Sequence, residues 1–131
     1  MVRVLKGLRA ALPSLICGGV LLAASSASAA DAAQGKQVFA QQCGACHSAN
    51  KGGPTLVGPN LFGVVGRHAG VVAGFAYSSA IRNSGLTWTD ATLSAYLQAP
   101  TQMLPGVRMP FAGLKNPTQL NDVVAYLNSL R

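Results

Sequence analysis

The segment Cys43-Gly44-Ala45-Cys46-His47 constrains this chain more than any other feature of its 131 residues. Two thiols separated by two residues have a short list of uses. A redox dithiol opens a helix that follows a strand in an α/β chain, and no segment here alternates apolar and polar residues as a strand does. A structural zinc site needs a second pair of ligands, and the only other histidine of the chain is His68. A disulfide spanning two residues is strained and rare. The remaining use is covalent attachment of haem, for which this spacing followed directly by histidine is the known pattern. Each thiol adds across one vinyl group of the porphyrin, so two thioethers fix the ring to one short curved segment. Gly44 and Ala45 are small enough to let the backbone lie close to the ring edge, and His47 is placed to be the proximal iron ligand.

The N-terminus reads as a secretory leader over residues 1–30. Arg3, Lys6 and Arg9 form its basic head, a mostly apolar stretch runs from Leu12 to Ala24, and small residues follow to Ala30. That stretch is shorter than the roughly 20 apolar residues a membrane-spanning helix needs, so no stable membrane insertion is expected. Ala27 and Ala29 suit a leader peptidase cutting after Ala29, and the neighbouring frame cuts after Ala30. Cys17 lies inside the apolar run behind Ile16, which does not suit lipid attachment, and leaves with the leader. The expected mature domain is 31–131, in the periplasm.

Downstream of residue 30 the bases are Lys36, Lys51, Arg67, Arg82, Arg108, Lys115 and Arg131, against Asp31, Asp90 and Asp122. No basic run or interleaving of aromatic and basic residues points to nucleic acid. Only 10% of the whole chain is charged and 50% is hydrophobic, which excludes an intrinsically disordered protein.

Periodicity predicts helices and no sheet. Asp31–Gln41 carries good helix formers, with Gly35 and Phe39 on one face. Thr89 is placed to cap a helix holding Leu93, Tyr96 and Leu97 that stops before Pro100. Asn116-Pro117 offers a cap and a first-turn proline, after which Leu120, Val123, Val124 and Leu127 recur with helical spacing. Ser78–Asn83 is expected to form a short helical turn. The intervening loops are long for a domain of about 100 residues, unless they wrap a bound group that supplies core.

The chain resembles the class I cytochromes c of mitochondria and alphaproteobacteria. The resemblance rests on Gly35 and Phe39, Cys43–His47, Gly58-Pro59-Asn60-Leu61, Gly66-Arg67, Gly74–Tyr77, Thr87-Trp88, Tyr96-Leu97, Pro100, Leu104–Met109, Phe111–Gly113 and Ala125–Leu127, in order and without a gap. It implies an all-α cytochrome c fold of few helices and long loops around one covalently attached haem c. Gly35 would let the first helix cross the last closely, with Phe39 near Val123 and Tyr126.

From the residues alone, Met103, Met109 and His68 are all candidates for the second iron ligand. The resemblance selects Met109, leaving Met103 to packing and His68 to a surface turn. It also implies that the Pro59 carbonyl accepts from His47, that Tyr77, Ser78 and Trp88 donate to a buried propionate with Arg67 as its positive partner, and that Tyr96 stands beside the methionine. Two positions depart from the family: Val107 replaces a common threonine and Ile81 a common asparagine, so part of the usual polar network should be missing.

The function implied is a monomeric one-electron carrier and not an enzyme, since His/Met ligation fills both axial positions. Its partners would be redox proteins: a membrane cytochrome complex or a dehydrogenase as donor, an oxidase or a reductase as acceptor. The alternatives are a dedicated accepting subunit of one periplasmic dehydrogenase and a ligand-binding or catalytic haem protein. Mitochondrial relatives ring the haem edge with lysines, whereas this chain has Gln42, Leu56 and Thr101 and keeps Arg108 and Lys115. A mostly apolar docking patch with weak charge steering is expected. In the family a lysine of the methionine loop displaces the ferric methionine as pH rises, and no lysine lies between Lys51 and Lys115 here.

Overall fold

The computed structural model describes residues 29–131. The expected leader, with Cys17, therefore lies outside the described residues apart from Ala29 and Ala30.

Helix α1 spans Ala32–Gln42 and α5 spans Pro117–Ser129. Asp31 is the cap of α1, one residue outside it: its carboxylate accepts from the Ala33 and Gln34 amides at 2.8 and 3.2 Å, satisfying donors that a helix start leaves free. Asn116 does the same for Thr118 and Gln119 at the start of α5, where Pro117 sits at a position that needs no amide hydrogen. The stripe Leu120, Val123, Val124 and Leu127 is buried against Val38 and Phe39 of α1. Phe39 and Tyr126 meet with ring centroids 5.4 Å apart, and Val123 is 0% exposed. The crossing depends on Gly35, because a Cβ there would run into the Asp122 backbone carbonyl.

Helix α3 spans Asp90–Gln98, capped by reciprocal bonds between Thr89 and Thr92. It turns Leu93 and Tyr96 into the core beside α5. Between α1 and α3, Ser79–Arg82 forms the short α2; Ser78 is its cap and not a member, accepting from the Ile81 amide at 3.3 Å.

Two features differ from the sequence expectation. The chain breaks at Ala99 and then makes a further turn, α4, over Pro100–Met103. Proline ends one helix and opens the next, and four residues carry too little periodicity to read. Among the described residues the only strand-like pairing is an isolated antiparallel bridge between His68 and Thr87. His68 is exposed, as expected of a surface turn, but its Nδ1 is hydrogen-bonded to the Thr87 hydroxyl at 3.0 Å. The same clip pairs the Gly66 amide with the Trp88 carbonyl and the Trp88 amide with the Arg67 carbonyl, at 2.7 and 2.9 Å. It thereby sets Arg67 and Trp88 side by side.

Candidate haem site

The thiol pair sits on a turn that continues α1. The Cys43 amide still bonds the Phe39 carbonyl at 2.8 Å, and the His47 amide bonds the Cys43 carbonyl at 2.9 Å. Both cysteines are free and half-buried. Burial, reinforced by the neighbouring Cys46, pushes the Cys43 thiol up to about 11.

The His47 imidazole is held from its far side. Its Nδ1–H donates to the Pro59 carbonyl at 2.7 Å. A carbonyl can only accept, so the hydrogen is on Nδ1 and the lone pair of Nε2 is left for a metal. Burial lowers the His47 pKa, opposed by the bond to Pro59, and the neutral form is the ligating one. Gly58, whose amide bonds the Cys46 carbonyl at 2.8 Å, must lack a side chain because a Cβ would overlap the imidazole.

The loop that carries Pro59 is tied down by Asn60. Its amide nitrogen donates to the Ser48 hydroxyl at 2.7 Å and the Asn50 carbonyl at 3.0 Å. Its oxygen accepts from the Phe62 amide at 2.8 Å. Asn60 has no role legible from the stretch Gly58-Pro59-Asn60-Leu61 itself; an asparagine in a glycine-bearing loop is the only local signal.

All ten residues expected at the site line one cleft: Cys43, Cys46, His47, Pro59, Arg67, Tyr77, Ser78, Trp88, Tyr96 and Met109. Leu61, Phe75, Leu93, Leu97 and Leu127 complete walls that suit a flat apolar ring, while Arg67, Tyr77, Ser78 and Trp88 suit its carboxylates. The Arg67 guanidinium is braced by bonds to the Asn60 and Phe62 carbonyls at 2.9 and 3.2 Å. Burial lowers the Arg67 pKa and raises that of Tyr77, and each charge partly offsets the effect on the other. Burial also pushes Tyr96 up to about 12; its ring packs on Trp88 with centroids 5.0 Å apart. Ile81, which is buried, and Val107 both line the cleft, making that wall apolar. Met103 is absent from the lining and packs partly buried against the core.

Comparison with known proteins agrees with this geometry. The cytochrome c family model matches residues 32–131. Cytochrome c2 of Blastochloris viridis is 48% identical over 115 residues, covering 86% of this chain and 90% of the relative. Cytochrome c2 of Rhodomicrobium vannielii is 44% identical over 87% of this chain and 90% of its own length. Cytochrome c of Chlamydomonas reinhardtii is 47% identical over 79% and 92%. The chain belongs to the cytochrome c family, which implies one covalently attached haem c, and Cys43 and Cys46 stand in its attachment motif.

Proposed function

We propose that this chain is an exported, periplasmic one-electron carrier whose haem iron is held between His47 Nε2 and the Met109 sulfur. Haem c supplies an iron that alternates between ferric and ferrous states. The chain's residues do the rest. His47, fixed by Pro59, keeps its orientation through both states. A Met109 thioether holding the iron would favour the ferrous form and raise the potential relative to harder ligands. Were His47 and Met109 both to hold the iron, no coordination position would be left for a substrate, which favours a carrier over an enzyme. The apolar walls exclude water, so little rearranges when the charge changes. Electrons would pass to and from redox proteins at the cleft mouth, where Gln42 and Val57 stand exposed.

The observation that carries this reading is that Met109 lines the cleft holding Cys43, Cys46 and a His47 already committed through Nδ1. No helix among the described residues is long and apolar enough to cross a membrane; export rests on the leader pattern. The optical spectrum of the purified protein tests the ligation. A low-spin ferric spectrum with the weak red iron–sulfur band, and a ferrous form indifferent to carbon monoxide, is expected. Ready binding of carbon monoxide overturns the carrier reading. Recovery from the periplasmic fraction with a mature N-terminus at Ala30 or Asp31 tests export.

A further inference from the structure

The chain's acidic residues are Asp31, Asp90 and Asp122, and two of the three meet at one point although 91 positions separate them. Asp31 caps α1, its carboxylate accepting from the Ala33 and Gln34 amides. Asp122 reaches the same helix end from α5. It is 7% exposed, and its Oδ1 accepts from the Asp31 backbone nitrogen at 2.7 Å. On α1 the one charged residue is Lys36, exposed on the next turn, and on α5 Asp122 is charged and Tyr126 titratable. A buried carboxylate needs a partner that offsets the hydration it gives up, and a positive one does so best. While the leader is attached, the nitrogen bonded to Asp122 belongs to a neutral peptide group.

Leader removal changes that end of the chain. Ala29 and Ala30 are exposed, so ending the chain on either side of Ala30 disturbs no packing. Hydrolysis of the Ala30–Asp31 bond takes up one water, leaving a carboxylate on Ala30 and an ammonium ion on Asp31, at the atom already bonded to Asp122. Hydrolysis one bond earlier puts the ammonium ion on Ala30, at most about 3.6 Å further along the chain. An ammonium ion just ahead of α1 faces the positive end of the helix dipole, which disfavours it. The two carboxylates converging there reverse that balance.

We propose that leader removal sets the new α-ammonium ion against the buried Asp122 carboxylate, so that processing itself adds an ion pair between the start of α1 and α5. Ala30, Asp31 and Asp122 are all absent from the lining of the haem cleft, so the haem carboxylates take no part in the pair. The proposal rests on the leader reading and is independent of the iron ligands.

The test uses the haem-loaded protein recovered after export. A mass spectrum first fixes the N-terminus, at Ala30 or Asp31. Amines are then methylated reductively with isotope-labelled formaldehyde, and the α-amine NMR signal is followed against pH. A carboxylate close by favours the protonated amine, so its midpoint should lie about one pH unit higher in the parent than in Asp122→Asn. Asp90→Asn removes a carboxylate from the first turn of α3 and should leave the midpoint unchanged. A retained leader overturns this proposal together with export. With the leader gone, a parent midpoint inside the ordinary α-amino range of about 7.7–8.0 overturns this proposal alone, without need of a variant. Equal midpoints in the parent and Asp122→Asn, or an equal fall in Asp90→Asn, do the same.

Discussion

The Asp122 backbone carbonyl occupies the space that a Cβ on residue 35 would need. The closest approach of α1 to α5 is therefore written into one glycine. Gly35→Ala must push the helices apart, with the Tyr126 Cβ only 2.9 Å from the added atom. Overpacking of this kind costs about 1–3 kcal/mol, and here backbone has to move. Thermal unfolding of the haem-loaded variant should show a midpoint lower by several degrees, and an unchanged midpoint refutes the close crossing.

The Asp122 side chain makes a separate contribution. It is buried, and its Oδ1 accepts from the Asp31 amide at 2.7 Å, fastening the start of α1 to α5. Asp122→Ala leaves that amide without its partner and should cost about 1.5–3 kcal/mol. Asp122→Asn keeps an acceptor in place and should cost less. Denaturant unfolding of the two variants checks the order, and equal losses would show that the bond is not what matters.

The caps and periodic stripes of α1, α3 and α5 are legible in the sequence because side-chain oxygens at Asp31, Thr89 and Asn116 precede apolar residues at helical spacing. The short α4 and the His68–Thr87 clip are not, since each is a few residues long and depends on partners distant in sequence. Seven of the ten cleft residues are assigned only through the family resemblance. Spacing alone singled out Cys43, Cys46 and His47, while Trp88 or Arg67 has no local pattern that announces a propionate. Support from Asn60 to Pro59, and from Lys115 to the end of α3, is purely tertiary.

Met109→Ala should leave the haem attached through Cys43 and Cys46 while opening a coordination position. Loss of the thioether and entry of water lower the reduction potential, and carbon monoxide should now bind the ferrous form. Potentiometry and a carbon monoxide difference spectrum check both effects. A variant with the parent spectrum would show that Met109 is not the ligand.

Leu56 is 46% exposed and Val57 71% exposed, and Gln42 and Thr101 are exposed and uncharged. Strong steering raises association rates by up to about a thousandfold at low salt. For this surface the on-rate with a membrane oxidase should change less than about tenfold between low and physiological ionic strength. Stopped-flow oxidation across a salt series measures it. A steep fall with added salt contradicts an apolar docking patch.

The alkaline behaviour follows from where the lysines are held. The chain's lysines are Lys6, Lys36, Lys51 and Lys115, so the methionine loop has none of its own. Lys115, the nearest in sequence beyond Met109, donates to the Gln98 carbonyl at 2.5 Å, which ties it to the last turn of α3. Arg108 precedes Met109 but is anchored on Ala76, and a guanidinium cannot become a neutral nitrogen ligand at accessible pH. Buried Ile81 and the adjacent Val107 keep that wall of the cleft apolar, which raises the cost of admitting water as the loop opens. Ferric Met109 ligation should therefore survive to higher pH than in lysine-bearing relatives, with hydroxide as the eventual replacement. Titrating the red iron–sulfur band against pH, then recording magnetic resonance spectra of the alkaline form, checks both parts. A transition in the range of those relatives with a nitrogen-ligated product refutes the argument. In that case Lys115→Gln decides whether its bond to Gln98 had released.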